Sequence, residues 1–389
     1  MHLKKPFYLL ILFSISVAAF GEPYIPDSNE EVLEVLPRGL VAGQGELSVL
    51  RQRLQEQSQD ADTAIALAKQ YLQLANSTGD PRYWGYAQAA LSPWWKQSNP
   101  PGEILYLRAK LQEKQHAFDD AIEGYKSFSE KRPRNLQARL DLANVYRVQG
   151  RYDEALAACA PLQKIASSRI LDVCRNPVRM VTGEAEKAYE SIQEMARWAS
   201  LSAPALEASN KVLMGEIATA LGWAEQAGKD FRAALSLAPY DLYLRRVYAD
   251  YLLDQNQPQA ALDVLKDYTQ DNGALLRVAI AADQIKQQPN EYVDELQRRF
   301  DEIRLRGESP HGRYEARFEL ELRHNPEKAL QLARANWARQ KETRDTRNLL
   351  AAALAAKNPK AAQPAIAFLR RNKTEDVTLL RLVKALQAL

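Results

Sequence analysis

The sequence predicts an all-α protein, an α-solenoid of antiparallel helix pairs, and three observations carry that prediction. Alanine returns at a near-constant interval. Ala87, Ala121 and Ala155 lie 34 residues apart, Ala188 comes 33 later, Ala227 39 later, Ala261 another 34 on, Ala329 twice 34 beyond that, and Ala362 33 further. A second small residue stands 12 positions ahead in Ala75/Ala87, Ala109/Ala121, Ala143/Ala155, Gly215/Ala227 and Ala249/Ala261. The breaks are short, such as Gln149-Gly150-Arg151, and strand-like alternation is nearly absent.

The chain begins with a segment of a different kind. Lys4 and Lys5 precede an apolar run from Phe7 to Phe20, and Ala19 and Gly21 stand in the small-residue places before Glu22. This predicts a signal peptide over 1–21 and export to a periplasm or the exterior. The run is too short for a comfortable membrane span, so no integral span is expected after cleavage. Residues 22–45 follow as an extended N-terminal segment, kept open at its ends by Pro23, Pro26 and Pro37. Such a strip is expected to cap the array or to serve as a ligand for a partner.

The charge is balanced in bulk and uneven along the chain. Without Lys4 and Lys5, the 52 Lys+Arg fall to 50 against 49 Asp+Glu. Nothing in that balance points to nucleic acid. Residues 22–62 carry nine acidic and three basic residues, whereas 291–389 carry 20 basic and 14 acidic.

The repeats predict helix crossings too close for large side chains, which is why the paired positions are small. One turn beyond the second small residue comes a larger group: Leu91, Tyr125, Cys159, Ile192, Phe231 or Leu265. Pro133 and Pro239 close two units. The unit with Gly215, Gly222, Ala227, Phe231, Ala234 and Pro239 resembles the tetratricopeptide-repeat family, as does the unit with Leu142, Ala143, Tyr146, Gly150, Ala155 and Leu162. On this reading 46–270 are repeats and 309–389 are further repeats with a cap. Residues 271–308 are a degenerate repeat or a hinge, since Glu295 falls where a small residue belongs. The resemblance implies a right-handed superhelix with a concave groove, a protein or peptide partner, and no chemistry.

The remaining residues agree with an interaction module. The four histidines, His2, His116, His311 and His324, have no metal-ligand spacing, and there is no nucleophile elbow or phosphate-binding glycine loop. No enzyme, cofactor or metal is expected. By register the inner helices turn Tyr106, Lys110, Lys114, Asn144, Arg147, Tyr243, Arg246 and Asp250 toward the groove, a mixture suited to peptide backbone and carboxylate contacts. Trp94 and Trp95 read as core packing or as an exposed anchor.

Cys159 and Cys174 stand about eight residues before and six after a turn near 166–168, level on adjacent antiparallel helices. A disulfide or a buried reduced pair both fit that placement, with Pro161 kinking the first helix and Pro177 ending the second. The expected function is an exported scaffold, in envelope assembly or export by analogy alone. The alternatives are a permanent structural subunit of an envelope complex and, further off, a ligand receptor or enzyme.

Overall fold

The computed structural model describes residues 44–80, 82–199, 204–287, 290–305 and 312–389. The expected signal peptide, and the segment 22–45 up to residue 43, lie outside them. Among the described residues there is no strand. The first part of the chain runs α1 (Gln44–Glu56), α2 (Ala61–Thr78), α3 (Arg82–Ala90), α4 (Gly102–Lys114), α5 (Phe118–Lys131), α6 (Leu136–Val148) and α7 (Tyr152–Cys159). The middle runs α8 (Leu162–Ile165), α9 (Ser168–Arg179), α10 (Ala185–Ala199), α11 (Pro204–Ala220), α12 (Ala224–Leu237), α13 (Leu242–Asp254) and α14 (Pro258–Leu265). The rest is α15 (Asn272–Gln284), α16 (Asn290–Leu305), α17 (Gly312–Glu321), α18 (Pro326–Arg339), α19 (Thr343–Ala355), α20 (Pro359–Arg371) and α21 (Val377–Gln387).

Among the described residues, helices pack as nine successive pairs, α2/α3, α4/α5, α6/α7, α9/α10, α11/α12, α13/α14, α15/α16, α17/α18 and α19/α20. The small residues sit at their crossings. Ala109, Ala121, Ala155, Ala227 and Ala249 are wholly buried. A Cβ on Gly215 would lie 2.7 Å from the Phe231 ring, and one on Gly124 2.8 Å from the Ala109 methyl. Asn176 holds the place 12 before Ala188. Fully buried, it donates to Ser191 Oγ at 3.0 Å and accepts from Arg179 at 3.1 Å. A satisfied amide thus replaces the small residue there.

In the segment expected to be a degenerate repeat or a hinge, residues 272–284 and 290–305 are the helices α15 and α16. The buried side chains of α16 are Leu296 and Phe300, one position beyond the expected register, and Glu295 instead pairs with Arg298 at 2.7 Å and Arg299 at 2.6 Å. Ala160 and Pro161 separate α7 from α8, so the first cysteine-bearing helix ends at Cys159. Pro177 does not end α9, which runs to Arg179. Its ring removes one backbone donor from the last turn, where helix N–H groups are still bonded to carbonyls four residues back, and the helix carries that loss.

One turn geometry recurs in every pair. Its residue has a left-handed φ between 50° and 80°, and in chain order it is Gly79, His116, Gly150, Gly183, Gly222, Asn256, Lys286, His324 and Lys357. In many pairs the next N–H reaches back five residues to a helix carbonyl, as in Ala117 to Gln112, Arg151 to Tyr146, Trp223 to Ala218 and Asn358 to Ala353. This capping arrangement satisfies carbonyls that the helix end leaves open.

The last helices turn back on the array. Lys341 N–H donates to the Val148 carbonyl at 2.7 Å, the Phe368 ring lies 5.7 Å from that of Tyr152, and Glu375 accepts from Ala185 N–H at 2.8 Å. Val377 lies beside Gly222. The layer α17–α21 therefore covers the turn ends of the third to sixth pairs, and one apolar cluster extends from α4–α9 into it. Gly79 lies against Leu242 and Asp271. No described helix is long and apolar enough to cross a membrane.

Candidate functional site

The groove-facing residues expected from register fall into two sets. Tyr106, Lys110, Lys114 and Asn144 lie on α4 and α6, in the second and third pairs. The Tyr106 hydroxyl donates to Asp141 at 2.6 Å, and Lys110 reaches the same carboxylate at 3.4 Å. Burial, then the Asp141 charge, push the Tyr106 phenol far above its ordinary range, so it remains a donor. Asn144 donates to Glu113 at 3.3 Å, and Glu113 also accepts from Tyr125 at 2.8 Å. Lys114 is exposed and lies 5.9 Å from the centre of the Trp84 ring. Beside them stand half-buried Tyr83 and exposed Tyr86. This end of the face is aromatic and basic. Trp94 is buried in the core below it, and half-buried Trp95 accepts from Arg108 through its carbonyl at 2.9 Å.

Arg147, Tyr243, Arg246 and Asp250 form the second set. Asp250 takes two bonds from Arg277, at 2.8 and 2.6 Å, one from Arg317 at 2.6 Å, and a longer pairing with Arg344 at 3.6 Å. Burial alone would raise its carboxyl. The Arg277 and Arg317 guanidiniums outweigh that and hold it well below the usual carboxylate range. Arg147 reaches Glu342 at 3.3 Å and Asn144 at 2.9 Å. Glu342 also accepts from Arg313, which forks onto Asp345 at 2.6 and 2.7 Å. Here too burial would raise Glu342, and Arg313 followed by Arg147 holds it down. Tyr243 donates to Glu216 at 2.9 Å, and the Arg344 guanidinium lies 5.6 Å from the centre of its ring. Arg246 reaches both Asp271 oxygens through one nitrogen, at 3.1 and 3.0 Å.

Arg147, Tyr243 and Asp250 thus meet the chain's own C-terminal layer. Register reasoning found them and missed their partners Glu216, Arg317, Glu342 and Arg344, and also Arg347, which forks onto Asp254. One signal was present. The position just after the first small residue of the five pairs reads Asn76, Lys110, Asn144, Glu216 and Asp250, so this stripe becomes acidic in the later pairs. The basic excess near the C-terminus is its complement.

Cys159 and Cys174 are joined by a disulfide spanning 15 residues. Two depressions lie on the outer layer, about 290 Å³ beside Glu319, Arg323 and Lys328, and about 510 Å³ beside Glu327, Arg334 and Asn358. Among the described residues no group of three or more His, Cys, Asp or Glu is placed to hold a metal ion.

Residues 112–170 match the family model of the tetratricopeptide repeat. No curated protein matches the chain. Among solved structures, a thermophilic TPR protein of Thermus thermophilus is similar at 24% identity, covering 49% of this chain and 98% of its own, with a TM-score of 0.41. A tetratricopeptide-repeat protein of Parabacteroides merdae has 15% identity over 64% of this chain and 98% of its own, TM-score 0.38. A Rap protein complexed with competence and sporulation factor has 16% identity over 90% and 95%, TM-score 0.48.

Proposed function

We propose that this chain, which carries tetratricopeptide repeats, is an exported scaffold that binds another protein in the cell envelope or outside the cell. The repeat array carries the reading. Stacked helix pairs of this family generally present a face to other proteins and leave chemistry to them. Export is supported by the apolar leader over 1–21 and by the Cys159–Cys174 disulfide, a bond that persists in oxidising compartments. The accessible end of the inner face is the docking surface we favour. There Tyr86, Trp84, Lys110 and Lys114 offer rings and ammonium groups together, and aromatic residues are common anchors of protein interfaces.

The test is affinity capture by the full chain from native envelope extract, followed by mass spectrometry. Replacing Lys110 and Lys114 by alanine should deplete the captured protein while the melting temperature stays close to the parent's. Equal capture by the parent and the folded variant would remove these residues from the interface. N-terminal sequencing of the exported protein should begin at Glu22, and a chain that still begins at Met1 would remove the cleaved leader.

A further inference from the structure

We infer that the C-terminal layer α17–α21 is the protein's own occupant of its inner face, and that opening it uncovers an acidic row shaped for an arginine-bearing helix. Three carboxylates form the row: Glu216 at the end of α11, and Asp250 and Asp254 at the end of α13. Arg344 and Arg347 of α19, three residues apart and so on one helix face, fill it together with Arg317 of α17. Arg344 meets Glu216 at 2.7 Å, Arg317 meets Asp250 at 2.6 Å, and Arg347 forks onto Asp254, while Asp250 also keeps two bonds from Arg277 of the array itself. Asp254 and Arg347 keep partial contact with water, with side chains 26% and 37% exposed.

The chemistry of this contact separates it from the crossings inside each pair. Most crossings are closed by alanine and glycine, and at the fourth pair by the hydrogen-bonded amide of Asn176. The row itself is closed by charges, and beside it one apolar cluster continues from the array into the layer, with Phe368 against Tyr152. Interfaces between parts of one chain that move are more polar than permanent ones. A guanidinium fork also recognises carboxylates wherever a helix presents it, so a partner helix with the same arginine spacing is chemically equivalent to α19. Closed, the protein holds its own copy of that ligand, and a partner binds only the open fraction. This rests on the protein-binding reading above and deepens it, naming a second, covered surface and the chemistry of what it takes.

The experiment uses the full mature chain and a fluorescent synthetic peptide spanning residues 340–356. The variant Arg344→Glu/Arg347→Glu should bind that peptide at least about tenfold tighter than the parent, whose own layer competes. Binding should weaken with salt, and a peptide with glutamate at both arginine positions should not bind. Equal affinity for parent and variant, or for both peptides, overturns the proposal. If the variant does not fold, hydrogen exchange on the parent decides. The Lys341 and Ala185 amides, which cross the contact, should exchange faster in high salt than in low salt, while those inside α6 stay unchanged. No salt effect on the crossing amides overturns it equally. Neither measurement needs a native partner. Peptide binding without capture from extract would leave the acidic row standing and remove the envelope-scaffold reading. Capture without peptide binding would do the reverse.

Discussion

The crossings inside the helix pairs and the contact between the array and its C-terminal layer are held by opposite means. At a crossing, buried Ala109 meets Gly124, over a short separation in sequence. Across the layer contact, Arg147 meets Glu342 and Arg344 meets Glu216, 195 and 128 residues apart. The first kind is bought by close packing, local and repeated. The second depends on desolvated charges that stabilise only while every partner is present. Small side chains at crossings therefore define the repeat, and long-range charge pairs define how the array is closed.

Removing one charge from the layer contact should have the largest effect. Asp250→Ala leaves Arg277 and Arg317 without their shared carboxylate, and should cost about 3–5 kcal/mol in chemical denaturation. The same carboxylate gives the contact an acid dependence. Because the folded Asp250 carboxyl lies below its ordinary value, the stability it contributes is fully present above an unfolded pKa of about 3.9. It fades as pH falls through the lower folded value. Asp250→Ala should therefore flatten the acid limb of a plot of melting temperature against pH. A variant with parental stability and an unchanged acid limb would show the charges to be dispensable.

The crossings should respond to volume and not to charge. Gly215→Leu forces a side chain into the Phe231 ring, and Ala143→Leu does the same at a position 4% exposed. Each should destabilise by roughly 1–3 kcal/mol, with no new dependence on salt or pH. Thermal melts at two salt concentrations separate the two classes. Overpacking losses that vary with salt would mean that the crossings and the layer contact unfold as one unit.

This difference also explains what the sequence made legible. Helix pairs, their crossings and the placement of Cys159 opposite Cys174 follow from local spacing, and local spacing survives in a single chain. Asn176 broke the alanine pattern because a buried amide fills the same space once its hydrogen bonds are met. Glu295 broke it because α16 is rotated by one residue to bury Leu296 and Phe300. The inner-face residues were legible as a stripe, but their partners were not. Ion pairs 67 to 195 residues apart have no period, and only the passage from Lys110 to Asp250 along one repeat position hinted at them.

The turns offer the finest test, because one backbone geometry recurs with different residues and different neighbours. Lys357 and Gly150 both adopt left-handed φ, 50° and 73°. Lys357 is exposed and bears its conformation with a Cβ, which crowds the backbone in this region. Lys357→Gly removes that crowding, although glycine also gains freedom in the unfolded chain, so a net gain of about 0.5–1 kcal/mol is expected. Gly150 faces the layer contact. A Cβ there would meet the Phe368 ring at 2.8 Å and Lys341 at 3.1 Å. Gly150→Ala therefore adds the backbone penalty to a clash with the C-terminal layer, and the loss should exceed the Lys357→Gly gain. Matched denaturation curves for the two variants check the signs. If Gly150→Ala is as mild as a substitution at an exposed turn, the Phe368 side of the contact yields readily, and the charged row alone holds the layer in place.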